Sequence, residues 1–188
     1  MTISFAEKPT LTGDLVQLRP VGVEDVPGLL ALLGDPESRR LTGMHGDDFP
    51  EDRARAWYAS RAEHDDRLDL AIVERRTGEY VGEVVLNELD AANRSCGFRI
   101  CLVGARVFGR GFGSEATRLV LAHAFETVGL NRIELEVYAF NPRARHVYEK
   151  AGFVHEGTKR RALLWDGAWV DAYLMAILAD EWSATRPG

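Results

Sequence analysis

The sequence contains little cysteine, and what it has cannot form a disulfide framework. Only two of the 188 residues are cysteine, Cys96 and Cys101. They lie five positions apart in one predicted strand, so they point to opposite faces of the sheet and cannot pair or share a metal. We therefore expect two thiols in a reducing compartment, a fold that does not depend on disulfides, and no metal ion.

The chain also lacks an excess of positive charge and a long apolar run. Its formal net charge at pH 7 is −6, whereas nucleic-acid binding needs a concentrated positive surface. The N-terminal segment MTISFAEKPT is not apolar, and no run approaches the length of a membrane-spanning helix. We therefore expect a cytoplasmic protein with no nucleic-acid or membrane partner. At 188 residues the chain suits a single domain over 1–188, with a core at about 14–182.

Hydrophobic periodicity and turn signals predict an α/β architecture with the element order β-α-α-β-β-β-α-β-α-β-β. Strands are predicted over residues 14–20, 68–74, 79–89, 95–103, 132–138, 153–164 and 169–178. Helices are predicted within 23–36, from near 51, over about 113–128 and over 142–151. The triplet Gly34-Asp35-Pro36 is expected to stop the first helix before a polar loop that reaches Pro50. The sequence thus predicts a mixed sheet with helices packed on it, an architecture that alone names no function.

A glycine-rich segment, FGRGFGSEA over residues 108–116, lies between a predicted strand and a predicted helix. Glycines without Cβ atoms let a ligand approach the backbone, and the N-terminus of a helix suits a phosphate. The segment lacks the Gly-Lys-Ser/Thr ending of a Walker loop. It also follows hairpin strands late in the chain, unlike a dinucleotide fingerprint. The residues alone therefore leave two interpretations, a plain connecting turn or a phosphate site of another kind.

A second motif, NPRARHVYEKAGF over residues 141–153, predicts a short helix with chemistry on one face. Asn141, Arg145 and Tyr148 fall on that face. A tyrosine hydroxyl stays protonated at neutral pH and can donate a proton to a leaving thiolate. The amide of Asn141 can hold a ligand that carries amide groups. The alternative is structural, with Asn141 capping the helix and Tyr148 packing in the core.

The two motifs together resemble the GNAT acetyltransferase family. Its pattern is x-x-G-x-G before a helix, then a strand, and then N-x-x-A-x-x-x-Y-E-K-x-G-F. The segments LRPVGVEDVPGLLALLGDP, YVGEVVLNELD and WDGAWVDAYLMAIL are similar to its branch of ribosomal-protein alanine N-acetyltransferases and spermidine acetyltransferases. The resemblance implies an α/β (α+β) fold. Its mixed, mostly antiparallel sheet would have six to seven strands, about four flanking helices, and two central strands that splay apart. It also implies an acetyl-CoA-dependent N-acetyltransferase.

The resemblance further implies where the cosubstrate acetyl-CoA binds. The cleft would lie where the strand ending at Leu102-Val103 splays from the strand that starts near Arg132. The backbone of Cys101, Leu102 and Val103 would bind the pantetheine arm. The amides that would hold the pyrophosphate belong to Arg110, Gly111, Phe112, Gly113 and Ser114. Asn141 would bind the cofactor arm, and Arg143 or Arg145 would approach the adenosine phosphates.

For the reaction, the resemblance implies direct attack of a neutral amine on the thioester, with Tyr148 protonating the departing thiolate. An acyl-enzyme on Cys101 is disfavoured because no histidine partner lies nearby in the sequence. Relatives often carry a glutamate in the strand before the glycine loop, where this chain has Ser95-Cys96-Gly97-Phe98. An alkylammonium must lose a proton before it attacks, so the candidate bases are Glu83, Glu88 and Glu136, with Glu88 first. A terminal α-amine could instead react with ordered water alone.

The acceptor is expected to be an amine, with a protein N-terminus as the first choice. A polyamine or an antibiotic amine is the alternative within enzymes, and a non-catalytic acyl-CoA sensor is the alternative outside them. Trp57, Tyr58, Trp165 and Trp169 are candidates to line the acceptor pocket. The closing hairpin suggests, from relatives only, a possible homodimer.

Overall fold

All eight strands of the fold form one mixed sheet in the order β1-β2-β3-β4-β5-β6-β8-β7. The computed structural model describes residues 3–46 and 49–184. The strands are β1 (Leu11–Thr12), β2 (Val16–Pro20), β3 (Leu68–Glu74), β4 (Tyr80–Asp90), β5 (Ser95–Leu102), β6 (Arg132–Tyr138), β7 (Val154–Trp165) and β8 (Ala168–Leu178). The helices are α1 (Val26–Gly34), α2 (Pro36–Thr42), α3 (Glu51–Ser60), α4 (Phe112–Ala122), α5 (Pro142–Ala151) and α6 (Ala179–Ala184).

The predicted mixed, mostly antiparallel architecture is confirmed. The described residues form eight strands and six α-helices, where six to seven strands and about four helices were predicted. Strand β1 has two residues, too few for a periodic pattern. Helix α2 occupies part of the predicted polar loop, because Asp35 and Pro36 end α1 and also start the next helix. The Asp35 side chain accepts a hydrogen bond from the Ser38 amide at 2.7 Å, and Pro36 takes the first helical position. The predicted helix over 113–128 is α4 followed by a π-helical segment, His123–Val128.

Strands β5 and β6 form the only parallel pair among the described strands. Their pairing covers only Ser95–Gly97 with Arg132–Glu134. Beyond Gly97, β5 continues to Leu102 paired with β4 alone, while β6 continues to Tyr138 paired with β8. The two central strands therefore splay apart, as the resemblance implies, and a cleft opens between them.

Both faces of the sheet carry buried cores, and β3 contributes to each. Leu70 and Ile72 belong to the core that packs against α4 and α5. Ala71 and Val73 belong to the core that packs against α1 and α3. This alternation is the period of two that a strand imposes on its side chains. Within residues 3–46 and 49–184, no helix is long and apolar enough to cross a membrane.

A buried carboxylate fixes the start of α4 against the sheet. Glu115 accepts hydrogen bonds from the amides of Asp14, Leu15 and Val16, at 2.9, 2.7 and 2.8 Å. Three amide donors satisfy this buried charge, so the segment before β2 is tied to the first turn of α4. The glycine-rich turn that precedes α4 is thereby held in a fixed position relative to the sheet.

Candidate active site

A cavity of about 410 Å³ occupies the gap between the splayed strands, and we call it the β5–β6 cleft. Strand β5, the glycine-rich turn, the start of α4, β6 and α5 all contribute to its walls. Of the residues predicted from the sequence, it is lined by Cys101, Leu102, Gly111, Phe112, Gly113, Ser114, Asn141, Arg143 and Tyr148. Val103, Arg110, Arg145 and Glu88 are not among its lining residues.

The backbone of β5 determines which of its residues face this cleft. The Val103 amide donates to the Val81 carbonyl of β4 at 2.9 Å, so Val103 is turned toward β4. Backbone groups alternate in direction along an antiparallel strand, so the amide and carbonyl of Cys101 also point toward β4, while those of Ile100 and Leu102 point toward the cleft. For pairing with a pantetheine arm, Ile100 and Leu102 are therefore better candidates than the predicted set Cys101 to Val103, although Cys101 lines the cleft. The Leu102 carbonyl accepts from the Ser38 hydroxyl at 2.9 Å.

The glycine-rich turn needs its glycines for conformation as well as for access. Gly109 and Gly111 have φ of +73° and +86°, values that side chains with a Cβ rarely adopt. Gly111 is the N-cap of α4, so the first amides of the helix face the cleft. The side chain of Arg110 turns away and pairs with Glu74 at 2.7 Å. The turn thus offers backbone donors, and the arginine in it anchors the turn to β3.

Tyr148 packs in the core, as the structural alternative predicts, and it also lines the β5–β6 cleft. Its ring packs edge-on against Phe98 and against Phe153, with centroids 5.9 and 5.8 Å apart. Burial raises the pKa of Tyr148, and the neighbouring Cys101 raises that pKa further. The phenol therefore stays protonated throughout the neutral range, as a proton donor must.

Asn141 and Arg143 hold the start of α5 beside the glycine-rich turn. The Asn141 side-chain oxygen accepts from the Ala144 amide at 3.1 Å and caps α5, while the residue also lines the cleft. The Arg143 guanidinium lies 3.8 Å from the centre of the Phe108 ring. Arg145 instead pairs with Glu149 at 2.8 Å, lies over the Tyr173 ring and does not line the cleft. Arg143 is therefore the arginine of this pair that a ligand in the cleft can reach.

A second cavity, of about 810 Å³, lies on the α1–α3 side of the sheet, and we call it the helix cavity. Helices α1, α2 and α3, residues 44–46 and 49, and strands β4 and β5 contribute to its walls. It shares Thr42, Arg99 and Cys101 with the β5–β6 cleft. The two cavities therefore border the same three residues, and we call this place their junction. Of the aromatic residues proposed for an acceptor pocket, Trp57 lines it, whereas Tyr58, Trp165 and Trp169 do not.

Among the described residues, Glu83 is the carboxylate that lines the helix cavity. It is buried on β4, and it accepts hydrogen bonds from the Tyr58 hydroxyl at 2.9 Å and from Arg99 at 3.1 Å. The Tyr80 hydroxyl lies 3.3 Å from that of Tyr58. Burial and the charge of Glu83 raise the pKa values of both tyrosines. The Tyr58 phenol and the Arg99 guanidinium therefore hold this carboxylate in place, and the Tyr80 hydroxyl lies beside that of Tyr58.

The other candidate bases lie elsewhere. Glu88, the first choice from the sequence, is exposed on a bulge of β4 with φ of +54° and lines neither cavity. Glu136 lines the cleft, but its carboxylate pairs with Lys159. The sequence did carry a signal for Glu83, because it is the only charged residue in the apolar run from Val81 to Leu86. A charge inside a buried strand requires partners or a function.

The Cys101 thiol is unsuited to nucleophilic catalysis. Burial raises the pKa of Cys101 to about 12, with a further contribution from Glu83, so the thiolate is scarce at neutral pH. Within residues 3–46 and 49–184, no group of three or more His, Cys, Asp or Glu side chains is placed to bind a metal ion.

The chain belongs to the GNAT acetyltransferase family: the family model described as "Acetyltransferase (GNAT) domain" matches residues 16–154. It is accordingly an N-acetyltransferase, an enzyme of the acyltransferase class.

Individual relatives differ in the acceptors that their names state. The chain is 31% identical to the spermidine N(1)-acetyltransferase of Vibrio cholerae over 119 residues, which cover 63% of this chain and 68% of the relative. It is 37% identical to the L-amino acid N-acetyltransferase AaaT of Escherichia coli over 101 residues, 53% of this chain and 62% of the relative. In fold it is similar to spermidine N-acetyltransferase from Vibrio cholerae solved with CoA and spermine. The TM-score is 0.82 at 23% identity, covering 91% of this chain and 99% of that one.

Proposed function

We propose that the chain transfers an acetyl group directly from acetyl-CoA, held in the β5–β6 cleft, to a primary amine that enters through the helix cavity. The observation that carries this proposal is the junction of the two cavities at Thr42, Arg99 and Cys101. A donor on one side and an acceptor on the other would be brought close together there, and no acyl-enzyme would be needed.

The residues of the cleft fit a CoA-type ligand. The backbone of Ile100 and the Leu102 amide face a gap that no strand fills, so an extended amide-containing arm can pair with them as an added strand would. The amides between Gly109 and Ser114, at the start of α4, suit a pyrophosphate. Arg143 provides a positive charge at the same end. When bound, the cosubstrate supplies an activated thioester carbonyl.

Tyr148 would supply a proton to the CoA sulfur as the carbon–sulfur bond breaks. Its raised pKa keeps it in the acid form, and its packing against Phe98 and Phe153 fixes the ring. Such general acid catalysis is worth about 10²- to 10⁴-fold in rate. Retention of this residue in the wall of the cleft favours an enzyme over the acyl-CoA sensor.

Glu83 replaces Glu88 as our candidate for the base, because it is the carboxylate beside the junction. Its carboxylate lies 3.1 Å from the Arg99 guanidinium, which holds it in position. This arrangement suits an acceptor α-amine, whose ordinary pKa of about 8 leaves a substantial neutral fraction at neutral pH. An alkylamine, with a pKa of about 10, is mostly protonated at neutral pH and therefore depends more strongly on a base to remove its proton.

The proposal is tested by following CoA release with a thiol reagent over N-terminal peptides, amino acids, polyamines and aminoglycosides, with Tyr148→Phe assayed beside the wild type. We expect turnover on one class of acceptor and a decrease of at least about tenfold in the variant. Acetyl-CoA binding, measured by calorimetry, is the control for folding of the variant. Absence of acetyl-CoA binding to the wild type would refute the proposal.

A further inference from the structure

We infer that Tyr58 is a positioning residue for the acetyl transfer, because its hydroxyl holds the Glu83 carboxylate in the orientation that accepts a proton from the incoming amine. The sequence suggested Tyr58 as a wall of an acceptor pocket, but this residue is 2% exposed and lines neither cavity. Its contact with the site is the hydrogen bond to Glu83. The inference rests on the proposed function, since it assigns a role toward the candidate base of the same site.

The Glu83 carboxylate is held at both of its oxygens. The Tyr58 hydroxyl donates to Oε2 at 2.9 Å, and the Arg99 guanidinium donates to Oε1 at 3.1 Å. The terminal torsion of a glutamate is otherwise broad, so one donor on each oxygen fixes the plane of the carboxylate. Each oxygen can accept more than one hydrogen bond. The carboxylate can therefore still accept a proton from an amine, in a defined direction.

The packing of α3 on the sheet delivers the Tyr58 hydroxyl to this carboxylate. Tyr58 follows Ala54 by one helical turn, and both belong to the core that covers Ala71 and Val73 of β3. Glu83 pairs with Ala71 in the register of the sheet, so it lies on the face that α3 covers. A buried phenol needs a hydrogen-bond partner, and the position of α3 makes Glu83 that partner.

A β-bulge adds a second hydroxyl behind the first. Tyr80 and Glu83 are three positions apart, so a regular strand would place them on opposite faces of the sheet. The pairing of β3 with β4 skips Val81, and this extra residue returns Tyr80 to the face of Glu83. There the Tyr80 hydroxyl lies 3.3 Å from that of Tyr58. The Tyr80 ring packs against Gly28 of α1, where an added Cβ would lie 2.4 Å from it.

This network is a costly way to fill a core, which favours a role in the reaction. An apolar side chain in place of Glu83 would fill the same space without taking a charge out of water. Burial and the charge of Glu83 raise the pKa of Tyr58, so the phenol remains a donor at neutral pH. Glu83 also pairs directly with Cys101 in the register of the sheet. The network therefore holds a carboxylate beside the junction, where the transfer is proposed.

A double-mutant cycle tests the role of Tyr58, with Tyr58→Phe made in the wild type and in Glu83→Gln. CoA release is followed at saturating acetyl-CoA, with the most active acceptor among N-terminal peptides, amino acids, polyamines and aminoglycosides. Tyr58→Phe should lower kcat at least about fivefold in the wild type, because rate depends steeply on the placement of the reacting groups. In Glu83→Gln the same change should alter kcat by less than about twofold, since no base remains to be positioned.

Two matched variants remove one tyrosine hydroxyl elsewhere. Tyr80→Phe should lower kcat by about two- to threefold, less than Tyr58→Phe, because Tyr80 acts on Glu83 through Tyr58. Tyr173→Phe should leave kcat within about twofold of the wild type, since Tyr173 lines neither cavity. A crystal structure of Tyr58→Phe provides a readout that does not depend on turnover. The Glu83 carboxylate should leave its wild-type position or occupy more than one.

The outcomes separate this inference from the function on which it rests. If no acceptor of the panel is acetylated, the proposed function fails and the inference loses its basis. If Glu83→Gln leaves kcat unchanged, Glu83 is not the base, and the inference fails while direct transfer stands. If Tyr58→Phe lowers kcat by the same factor in both backgrounds, its role is structural and the inference alone is overturned. An unmoved Glu83 carboxylate in Tyr58→Phe would also overturn it.

Discussion

The β5–β6 cleft and the helix cavity share three lining residues, but backbone largely shapes the cleft, whereas side chains shape the helix cavity. The cleft is shaped largely by main chain: two diverging strands, a turn with glycines at positive φ, and the first amides of α4. The helix cavity is shaped by side chains from α1, α2, α3, β4 and β5, and its polar lining includes Arg39, Arg53, Glu83 and Arg99. Recognition of the donor is thus tied to the fold, whereas recognition of the acceptor can change with a few substitutions.

The largest effect is expected from Tyr148→Phe, which alters chemistry in the cleft without altering its shape. The phenylalanine ring retains the contacts with Phe98 and Phe153, so the Kd for acetyl-CoA should change by less than about twofold. Loss of the proton donor should lower kcat by at least about tenfold, and by up to the 10²- to 10⁴-fold that general acid catalysis is worth. Steady-state kinetics and calorimetry give the two values. A parallel loss of binding and turnover would show instead that the hydroxyl serves the structure.

The pH dependence provides an independent check on the same residue. The pKa of Tyr148 is raised by burial, so its proton is lost at higher pH than from an ordinary tyrosine, whose pKa is about 10. We therefore expect kcat to show no alkaline decrease up to a pH of about 9.5. A decrease centred well below that value would contradict the assigned acid.

The next effect concerns the carboxylate on the helix-cavity side, and the chain offers its own control. Glu83→Gln keeps an oxygen that can accept from Tyr58 but removes the base, so kcat should fall by about tenfold or more. Glu88→Gln, on the exposed bulge, should stay within about twofold of the wild type, as surface changes usually do. Equal effects of the two substitutions would remove the basis for preferring Glu83.

A smaller effect is expected from the main chain of the cleft. Gly111→Ala introduces a Cβ at φ of +86°, and the strain should raise the Kd for CoA by about fivefold, corresponding to about 1 kcal/mol. Gly167→Ala is the control, with φ of +79° in the β7–β8 turn and open space around the added Cβ. Both variants should lose stability in thermal denaturation, but only Gly111→Ala should weaken CoA binding. Weakened binding in both would indicate a global effect.

The smallest effect is expected at the junction itself. Cys101→Ser should lower kcat by no more than about threefold, since a thiol with a pKa of about 12 is not a nucleophile at neutral pH. Mass spectrometry of the wild-type protein after incubation with acetyl-CoA alone should detect no acetylated Cys101. An acetyl-enzyme that forms and then decays on addition of an amine would contradict direct transfer.

The same contrast explains how far the sequence could predict the structure. Strands β3 and β6 and helix α5 have the predicted bounds, and the glycine-rich turn and Tyr148 lie in the cleft as expected. Such features are encoded locally, by periodicity, glycines at positive φ, and residues one helical turn apart. A cleft built from main chain therefore leaves contiguous motifs that a single sequence reveals.

The helix cavity was not predicted because its parts are distant in sequence. Its lining runs from Leu29 to Cys101, and only tertiary packing brings Arg39, Glu83 and Arg99 together. Strand periodicity also gave no means to rank Glu83 above Glu88, since both glutamates lie on β4 and only the bulge at 87–90 separates their surroundings. Helix α2, which contributes to both cavities, was not predicted because Pro36 was interpreted as the end of α1, and a proline can equally begin a helix.

The most direct test of donor binding and direct transfer is a crystal structure of the protein with bound CoA. We expect the pantetheine arm to pair with the backbone of Ile100 and Leu102 and the pyrophosphate to contact the amides between Gly109 and Ser114. The CoA sulfur should lie within hydrogen-bond reach of the Tyr148 hydroxyl and face the junction with the helix cavity. CoA bound outside the β5–β6 cleft, or with its sulfur directed away from Tyr148 and the junction, would contradict the proposed transfer.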